Sequence, residues 1–259
     1  MDKIKICCEE RGQLGNKMFQ VAAGVALALR IGGEFVKTKN NSIHDSSANE
    51  VVWKKIPEYT GPLNFEPYRE AQHHYKQIAP PGKDTILMGY FQSCLYFEEY
   101  KQNILDLFLP TAETDQKVND LLSKHTNTDK TCALHVRRGD YLNYPEHHPT
   151  QEVSYYQEAA TFFPKDTLFV ICSDDILWCR KNLTFLQNKV FVEGNKNYED
   201  LYLMASCQHN IIANSTFSWW SAYLNKNPQK KVIAPKLVVG KKLSHLNTKD
   251  FYCKDWHVI

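Results

Sequence analysis

The sequence predicts an α/β protein whose second half is a doubly wound parallel sheet. Three observations carry that prediction. Between residues 131 and 234, short apolar runs alternate with helical stretches. The chain opens as a strand, a glycine loop and a buried helix. The polar clusters of the second half all follow predicted strands, at the carboxyl ends where such sheets bind ligands.

Residues 3–8 (Lys-Ile-Lys-Ile-Cys-Cys) form the first predicted strand. The loop Gly12-Gln13-Leu14-Gly15-Asn16 follows. Residues 17–30 are rich in Ala, Leu and Met and stop at Gly32-Gly33, which predicts a largely buried helix. The glycine spacing is not G-x-G-x-x-G, so no dinucleotide fingerprint is assigned. The free amides at that helix start serve a polar ligand or a plain turn equally well. Residues 38–82 have no clear period and are rich in Asn, Ser, His, Pro and Tyr. Loops that long are often functional. The aromatics Trp53, Tyr59, Phe65, Tyr68 and Tyr75, with His73 and His74, suit sugar binding and ordinary packing alike. Residues 86–92 predict a strand leading to a loop. Tyr96–Phe108 has helical spacing and stops before Pro110, and 113–125 is a charged amphipathic helix. The polar run 126–130 marks the expected domain boundary.

Beyond it, strands are predicted at 131–136, 167–172, 189–192, 210–213 and 231–234. Helices are predicted at 153–163, 174–183, 198–207 and 217–224. The strand ends carry His135/Arg137/Arg138, Ser173/Asp174/Asp175, Glu193/Asn195 and Asn214/Ser215/Thr216/Ser218.

Bulk properties narrow the function classes. The 259 residues allow one large domain or two ordinary ones. A formal charge of +2 and a pI near 8.0 do not mark a nucleic-acid or membrane-surface protein, so any anion site is local. The eight cysteines have no C-x-x-C spacing, and several lie in apolar runs. Buried thiols in a reducing compartment are the expectation. The N-terminus lacks a signal-type apolar region, and no run approaches about 18 apolar residues. The expected location is therefore cytoplasmic, without stable membrane insertion, or else the chain is an excised catalytic domain. The sequons at Asn40, Asn182 and Asn214 carry little meaning without a secretory route.

The chemistry centres on His135-Val136-Arg137-Arg138-Gly139-Asp140-Tyr141. An unpaired guanidinium is costly to bury, so two at a strand end are solvated, salt-bridged or holding an anion. Convergence with the other strand-end clusters favours the anion. Ser215-Thr216-Phe217-Ser218 opens a helix, where hydroxyls and free amides cradle phosphate. An N-cap explains one of these residues. Asp174 and Asp175 suit a cap, ribose or guanine recognition, or a divalent ion. Two arginines neutralise a diphosphate without metal, so the expected site uses none.

Five motifs carry a resemblance: Gly12-Gln-Leu-Gly-Asn-Lys-Met-Phe-Gln20, Gly89-Tyr-Phe-Gln-Ser93, His135–Tyr141, Ser173-Asp-Asp175 with Trp178, and Asn214-Ser-Thr-Phe-Ser-Trp-Trp-Ser-Ala-Tyr-Leu224. In this order, and with the closing Trp256-His-Val-Ile259, they resemble the alpha-1,2-fucosyltransferases of glycosyltransferase family 11. The resemblance implies a GT-B glycosyltransferase fold, two Rossmann-like domains facing a cleft. Residues 1–126 would form the acceptor-side domain and 127–259 the GDP-sugar-binding one. It implies GDP-beta-L-fucose as co-substrate, inversion, no metal, and transfer to the 2-hydroxyl of a galactose or similar sugar on a glycan acceptor. By position, Arg137 would contact the donor diphosphate and Arg138 would share or support that contact. His135 would lie near the nucleoside or the loop backbone, and Asn214, Ser215, Thr216, Phe217 and Ser218 would form the phosphate-binding turn. Asp200 matches a guanine-reading acid, and Asp174 and Asp175 are ribose or structural candidates. Gln13, Gly15, Asn16 and Phe19 would face the acceptor. Lys17 and Val21 replace the usual glutamine and tyrosine of the first motif, which bears on acceptor preference. Asp140 is the catalytic candidate for base, or a salt-bridge partner of Arg137 or Arg138.

Overall fold

The structure, a computed structural model, describes residues 3–38, 46–125 and 130–259. The chain divides into two compact units: Met1–Leu109 with Leu246–Cys253, and Pro110–His245 with Lys254–Ile259. The boundary expected between residues 126 and 127 lies outside the described residues, as does Asn40.

In the first unit the elements are β1 (Lys5–Cys8), α1 (Leu14–Arg30), β2 (Glu34–Phe35), β3 (Lys37–Thr38), α2 (Ser46–Val51), β4 (Glu58–Tyr59), β5 (Glu66–Arg69), β6 (Thr85–Met88) and α3 (Lys101–Leu107). Four strands form a sheet in the order β2-β1-β6-β5, and β3 pairs with β4. All these pairings are parallel. Helix α1 is buried at most positions from Leu14 to Ala28, as its Ala- and Leu-rich composition predicted. The irregular stretch is more ordered than expected, holding α2, β4 and β5. Elements of two to six residues are too short to show a readable period. Pro67 sits within β5 because β5 is an edge strand, where the missing N–H breaks no ladder. The helix expected from Tyr96 begins only at Lys101. Two 3-10 turns, Cys94–Tyr96 and Glu98–Tyr100, precede it.

The second unit contains α4 (Ala112–His125), β7 (Thr131–Val136), α5 (Val153–Ala160), β8 (Leu168–Ser173), α6 (Ile176–Asn182), β9 (Lys189–Phe191), α7 (Asn197–Ser206), β10 (His209–Ile211), α8 (Thr216–Leu224), β11 (Val232–Ala234) and β12 (His257–Val258). The sheet order is β12-β11-β10-β7-β8-β9. Every pairing is parallel. The chain winds outward from β7 through β8 to β9, then crosses to β10 and winds the other way. The direction therefore switches between β7 and β10, the place where such sheets open a ligand crevice. Strand β12 was not predicted. It is a two-residue, exposed edge strand with no alternation to read.

Period-two alternation places Cys132, Leu134 and Val136 of β7 on one face. They pack there with Tyr155, Tyr156, Ala159, Cys179, Ile171 and Ile211. On the other face His135 meets the ring of Phe217 in α8 at 5.6 Å. An aromatic cluster anchors α8, with Trp219 stacked on Tyr223 at 4.9 Å and tilted against Trp256 at 5.2 Å. The buried Tyr155 hydroxyl is shared between the carbonyls of Ile212 at 2.7 Å and Ile233 at 3.1 Å. It pins the carboxyl ends of β10 and β11. Among the described residues no helix is long and apolar enough to cross a membrane.

The Tyr155 bond yields a stability test. Tyr155→Phe keeps the ring and removes one buried hydrogen bond, worth about 1 kcal/mol. The expected result in a thermal melt is a Tm lower by about 2–4 °C. An unchanged Tm shows that the hydroxyl does not hold the strand ends.

Candidate functional site

The site grows from the pairing of β7 with β8. Their register sets Val136 opposite Ser173. One step further along, the chain places Arg137 across from Asp174 and Arg138 across from Asp175. The contacts follow. Arg137 Nη1 lies 3.0 Å from Asp174 Oδ2, and Arg138 Nε donates to Asp175 Oδ2 at 3.0 Å. Asp174 Oδ1 also accepts the backbone N–H of Arg138 at 2.8 Å. Asp175 caps α6, its Oδ1 accepting the Trp178 N–H at 3.0 Å. The Arg138 guanidinium lies over the Trp178 ring, 4.4 Å from its centroid. Gly139 makes the fit possible, because a Cβ there would come within 2.6 Å of Asp174 Oδ2. Both arginines are thus fixed in direction, and both aspartates are occupied in fixing them.

Arg137 has a second carboxylate partner. Its Nη2 donates to Asp140 Oδ1 at 2.6 Å. Its guanidinium also faces the Tyr141 ring at 5.5 Å, and that ring stacks on His148 at 5.1 Å. The Tyr141 hydroxyl donates to the Asn214 carbonyl at 3.2 Å, tying the arginine loop to the end of β10. Burial pushes the Tyr141 hydroxyl up to about 12, so it remains a donor. His135 is 5 % exposed, at the end of β7. Burial and the neighbouring Arg137 cation hold its pKa down at about 3, so the ring is neutral. Its Nδ1 is buried without a hydrogen-bond partner among the described residues.

The turn after β10 lies across the switch point. Asn214 Nδ2 donates to the carbonyls of Pro149 and Val238, each at 3.0 Å, and so braces two neighbouring loops. Ser215 is the N-cap of α8, its Oγ accepting the Phe217 N–H at 3.4 Å. Thr216 and Phe217 form the first turn. Ser218 departs from expectation. It is fully buried, and its hydroxyl donates to the carbonyls of Ala213 and Ser215 inside the helix start. It supports the turn from within. Asp200 lies in α7, with Asn195 Nδ2 donating to its Oδ1 at 2.9 Å. Burial raises its pKa to about 6.

The acceptor-side candidates lie in the first unit. Gln13 is exposed at the start of α1, and its carbonyl accepts the N–H of Asn16 at 2.9 Å. Gly15 is buried in the first turn. Asn16 Oδ1 accepts from Gln92 Nε2 at 2.8 Å, which joins the first motif to the Gly89–Ser93 motif. Phe19 departs from expectation too. It is fully buried, 6.2 Å from Phe97, because the inward stripe of α1 runs through it. Lys17 forms an ion pair with Glu10 at 3.1 Å, both side chains nearly buried. Glu70 was missed. Its carboxylate accepts the N–H groups of Tyr90 at 2.7 Å and Phe91 at 3.0 Å, and holds Phe91 at a φ of 51°. It follows strand β5 inside the irregular stretch, well ahead of the Gly89 motif in sequence, with no period to flag it. Tyr141 and Trp178 stood within recognised motifs, but only their ring contacts reveal their role.

Glycosyl transferase family 11 matches the chain over residues 5–259. An alpha-1,2-colitosyltransferase of Escherichia coli is 32 % identical, covering 86 % of this chain and 89 % of that protein. The O-antigen biosynthesis glycosyltransferase WbnK of Escherichia coli is also 32 % identical, over 58 % of this chain and 54 % of its own length. A galactoside 2-alpha-L-fucosyltransferase of Bos taurus is 28 % identical, over 83 % of this chain and 62 % of its own. The chain thus spans little more than half the length of some relatives it matches. Among solved structures, NodZ alpha-1,6-fucosyltransferase soaked with GDP-fucose superposes with a TM-score of 0.58 at 16 % identity, covering 86 % of this chain and 93 % of that one. Apo POFUT1 gives 0.54 at 10 % identity, covering 90 % and 97 %. Two units with parallel sheets, and these neighbours, make the fold GT-B. From the first strand to the last, the chain belongs to glycosyl transferase family 11.

Proposed function

We propose that the protein is an inverting, metal-independent alpha-1,2-fucosyltransferase. It moves L-fucose from GDP-beta-L-fucose to the 2-hydroxyl of a galactose or similar sugar on a glycan. The observation that carries this reading is the fixed arginine pair at the switch point of the second sheet. Two relatives add weight by their names: a galactoside 2-alpha-L-fucosyltransferase and an alpha-1,2-colitosyltransferase.

Charge supplies the mechanism. As the bond from the anomeric carbon to the diphosphate lengthens, the sugar gains positive charge and the diphosphate gains negative charge. Arg137 and Arg138 are already held in place, so stabilising the leaving group needs no reorganisation. The N-terminal amides of α8, beside the Ser215 cap, add fixed donors. Asp174 and Asp175 are engaged with the arginines, which supports a site that neutralises the diphosphate with guanidinium groups rather than a cation. Asp200 is assigned to guanine. Gln13, Gly15 and Asn16 are assigned to the acceptor side, with the first unit as the acceptor-side domain and the second as the donor domain. Asp140 is assigned next to the reacting centre. Free and mostly buried cysteines suit a reducing cytoplasm.

A second reading, transfer of another GDP-activated sugar such as colitose, is favoured by the colitosyltransferase relative, which matches nearly the whole chain. The phosphate site does not read the sugar. Turnover of GDP-fucose against GDP-colitose on a lactose-type acceptor, with NMR of the product linkage, decides between the two.

Arg137→Ala is expected to lower kcat by about 10²–10³-fold while the Tm holds within a few degrees. Near-normal turnover of that variant would remove Arg137 from the mechanism. Activity is expected to survive EDTA. A large loss restored by Mg²⁺ or Mn²⁺ contradicts the metal-free assignment. Asp200→Asn separates stability from recognition. The folded state raises the Asp200 pKa above its ordinary value, so it favours the protonated form. Stability from this group is therefore present at low pH and lost as pH rises through about 6. The expected variant has a higher Tm than the parent at pH 7, no difference near pH 4, and weaker GDP binding by calorimetry. Unchanged GDP affinity would deny Asp200 a part in reading guanine.

A further inference from the structure

The two carboxylates on Arg137 are not equivalent. Asp174 is locked. One oxygen accepts the Arg138 amide at 2.8 Å, the other pairs with Arg137 at 3.0 Å, and its side chain is 26 % exposed. Asp140 sits in a 3-10 turn, Asp140–Asn143, with its side chain 51 % exposed and its carboxylate on Arg137 Nη2 at 2.6 Å. It offers Arg137 a negative oxygen on the solvent side, while Asp174 grips the guanidinium from the β8 side. Exposed ion pairs of this kind are weak and exchangeable. Partly buried pairs tied into a loop amide are not.

A guanidinium has five N–H groups in a rigid fork, and a bidentate phosphate contact needs two of them. With Asp174 fixed on Nη1 and Asp140 on Nη2, an incoming diphosphate meets a carboxylate already in its place. We propose that Asp140 is an internal competitor of the donor diphosphate for Arg137. Diphosphate binding displaces its carboxylate, and the return of that carboxylate to Arg137 helps expel the nucleoside diphosphate product. The inference rests on the assignment of Arg137 to the diphosphate. The charged and titratable groups around the exchange are Asp174, Arg138, His135, Tyr141 and His148. Tyr141 and His148 stack beneath the guanidinium and keep its plane in place whichever anion is bound.

The test is GDP binding to the full chain by calorimetry at low salt, with dissociation followed by stopped flow. Asp140→Asn is expected to bind GDP about two- to five-fold more tightly than the parent, the range an exposed pair allows. Most of the gain should appear as slower dissociation. Asp140→Glu, which keeps the charge, should stay near the parent value. Exposed Glu158→Gln, which removes the same charge from α5 away from Arg137, should change nothing. In the Arg137→Ala background the effect of Asp140→Asn should vanish, a coupling that a merely structural Asp140 would not produce. GDP affinity unchanged or weakened in Asp140→Asn overturns the competitor role, as does a gain that persists without Arg137. No GDP binding by the parent chain overturns the donor assignment itself.

Discussion

The site depends on the parallel pairing of β7 with β8. Val136 opposite Ser173 is the last step of that ladder, and it hands each arginine its own aspartate. Two ion pairs at 3.0 Å then lock a loop that would otherwise carry two adjacent, self-repelling guanidiniums. A slip of one residue would leave one arginine without its aspartate and turn every side chain of β8 to the opposite face. The hydrophobic packing of Cys132, Leu134, Val136, Phe169 and Ile171 forbids that slip, so the core of the sheet guarantees the charge geometry at its edge.

The arrangement spends charge to gain direction. Three carboxylates face two guanidiniums, so the loop is not a bare cationic patch. An isolated Arg-Arg loop would attract anions more strongly but would hold them less well, because each flexible side chain would have to be ordered on binding. Here Trp178 lies against Arg138 and Tyr141 against Arg137. Asn214 and the Tyr141 hydroxyl connect this loop to the start of α8. The arginine loop and the start of α8, on either side of the switch point, are therefore one framework.

The first unit solves a different problem with similar means. Glu70 draws the turn after β6 around its carboxylate, and Asn16 joins that turn to the start of α1. Gly89 permits it, since a Cβ there would lie 2.6 Å from Glu70 Oε2. The strained φ of Phe91 is maintained by two hydrogen bonds to one carboxylate and by complete burial of the ring. Burial raises the pKa of Glu70, and the two N–H donors offset part of that rise. The first motif and the Gly89 motif thus become one polar face through contacts that neither motif contains alone.

The amino-acid sequence by itself determined the alternation of strands and helices from residue 131 onward, the buried α1, and the polar clusters at the strand ends. Those features are local. Period, glycine stops and strand-end polar clusters are written within ten or twenty consecutive residues. The short elements between residues 46 and 69, and the edge strand β12, left no period, so only pairing with neighbours revealed them. Tertiary structure alone decided what the candidate site residues touch. Asp174 and Asp175 read equally well as ribose, metal or cap residues, and register placed both on the arginines, with Asp175 also capping α6. Ser218 and Phe19 looked like ligand contacts until packing turned one inward to backbone carbonyls and the other into the core. Asp140 was a base or a salt-bridge partner on paper, and the structure sets its carboxylate 2.6 Å from Arg137. Asp174, Asp175 and Phe19 meet residues far away in the chain, and Asp140 and Ser218 meet near ones in a geometry that the fold sets, and the linear pattern holds no record of either.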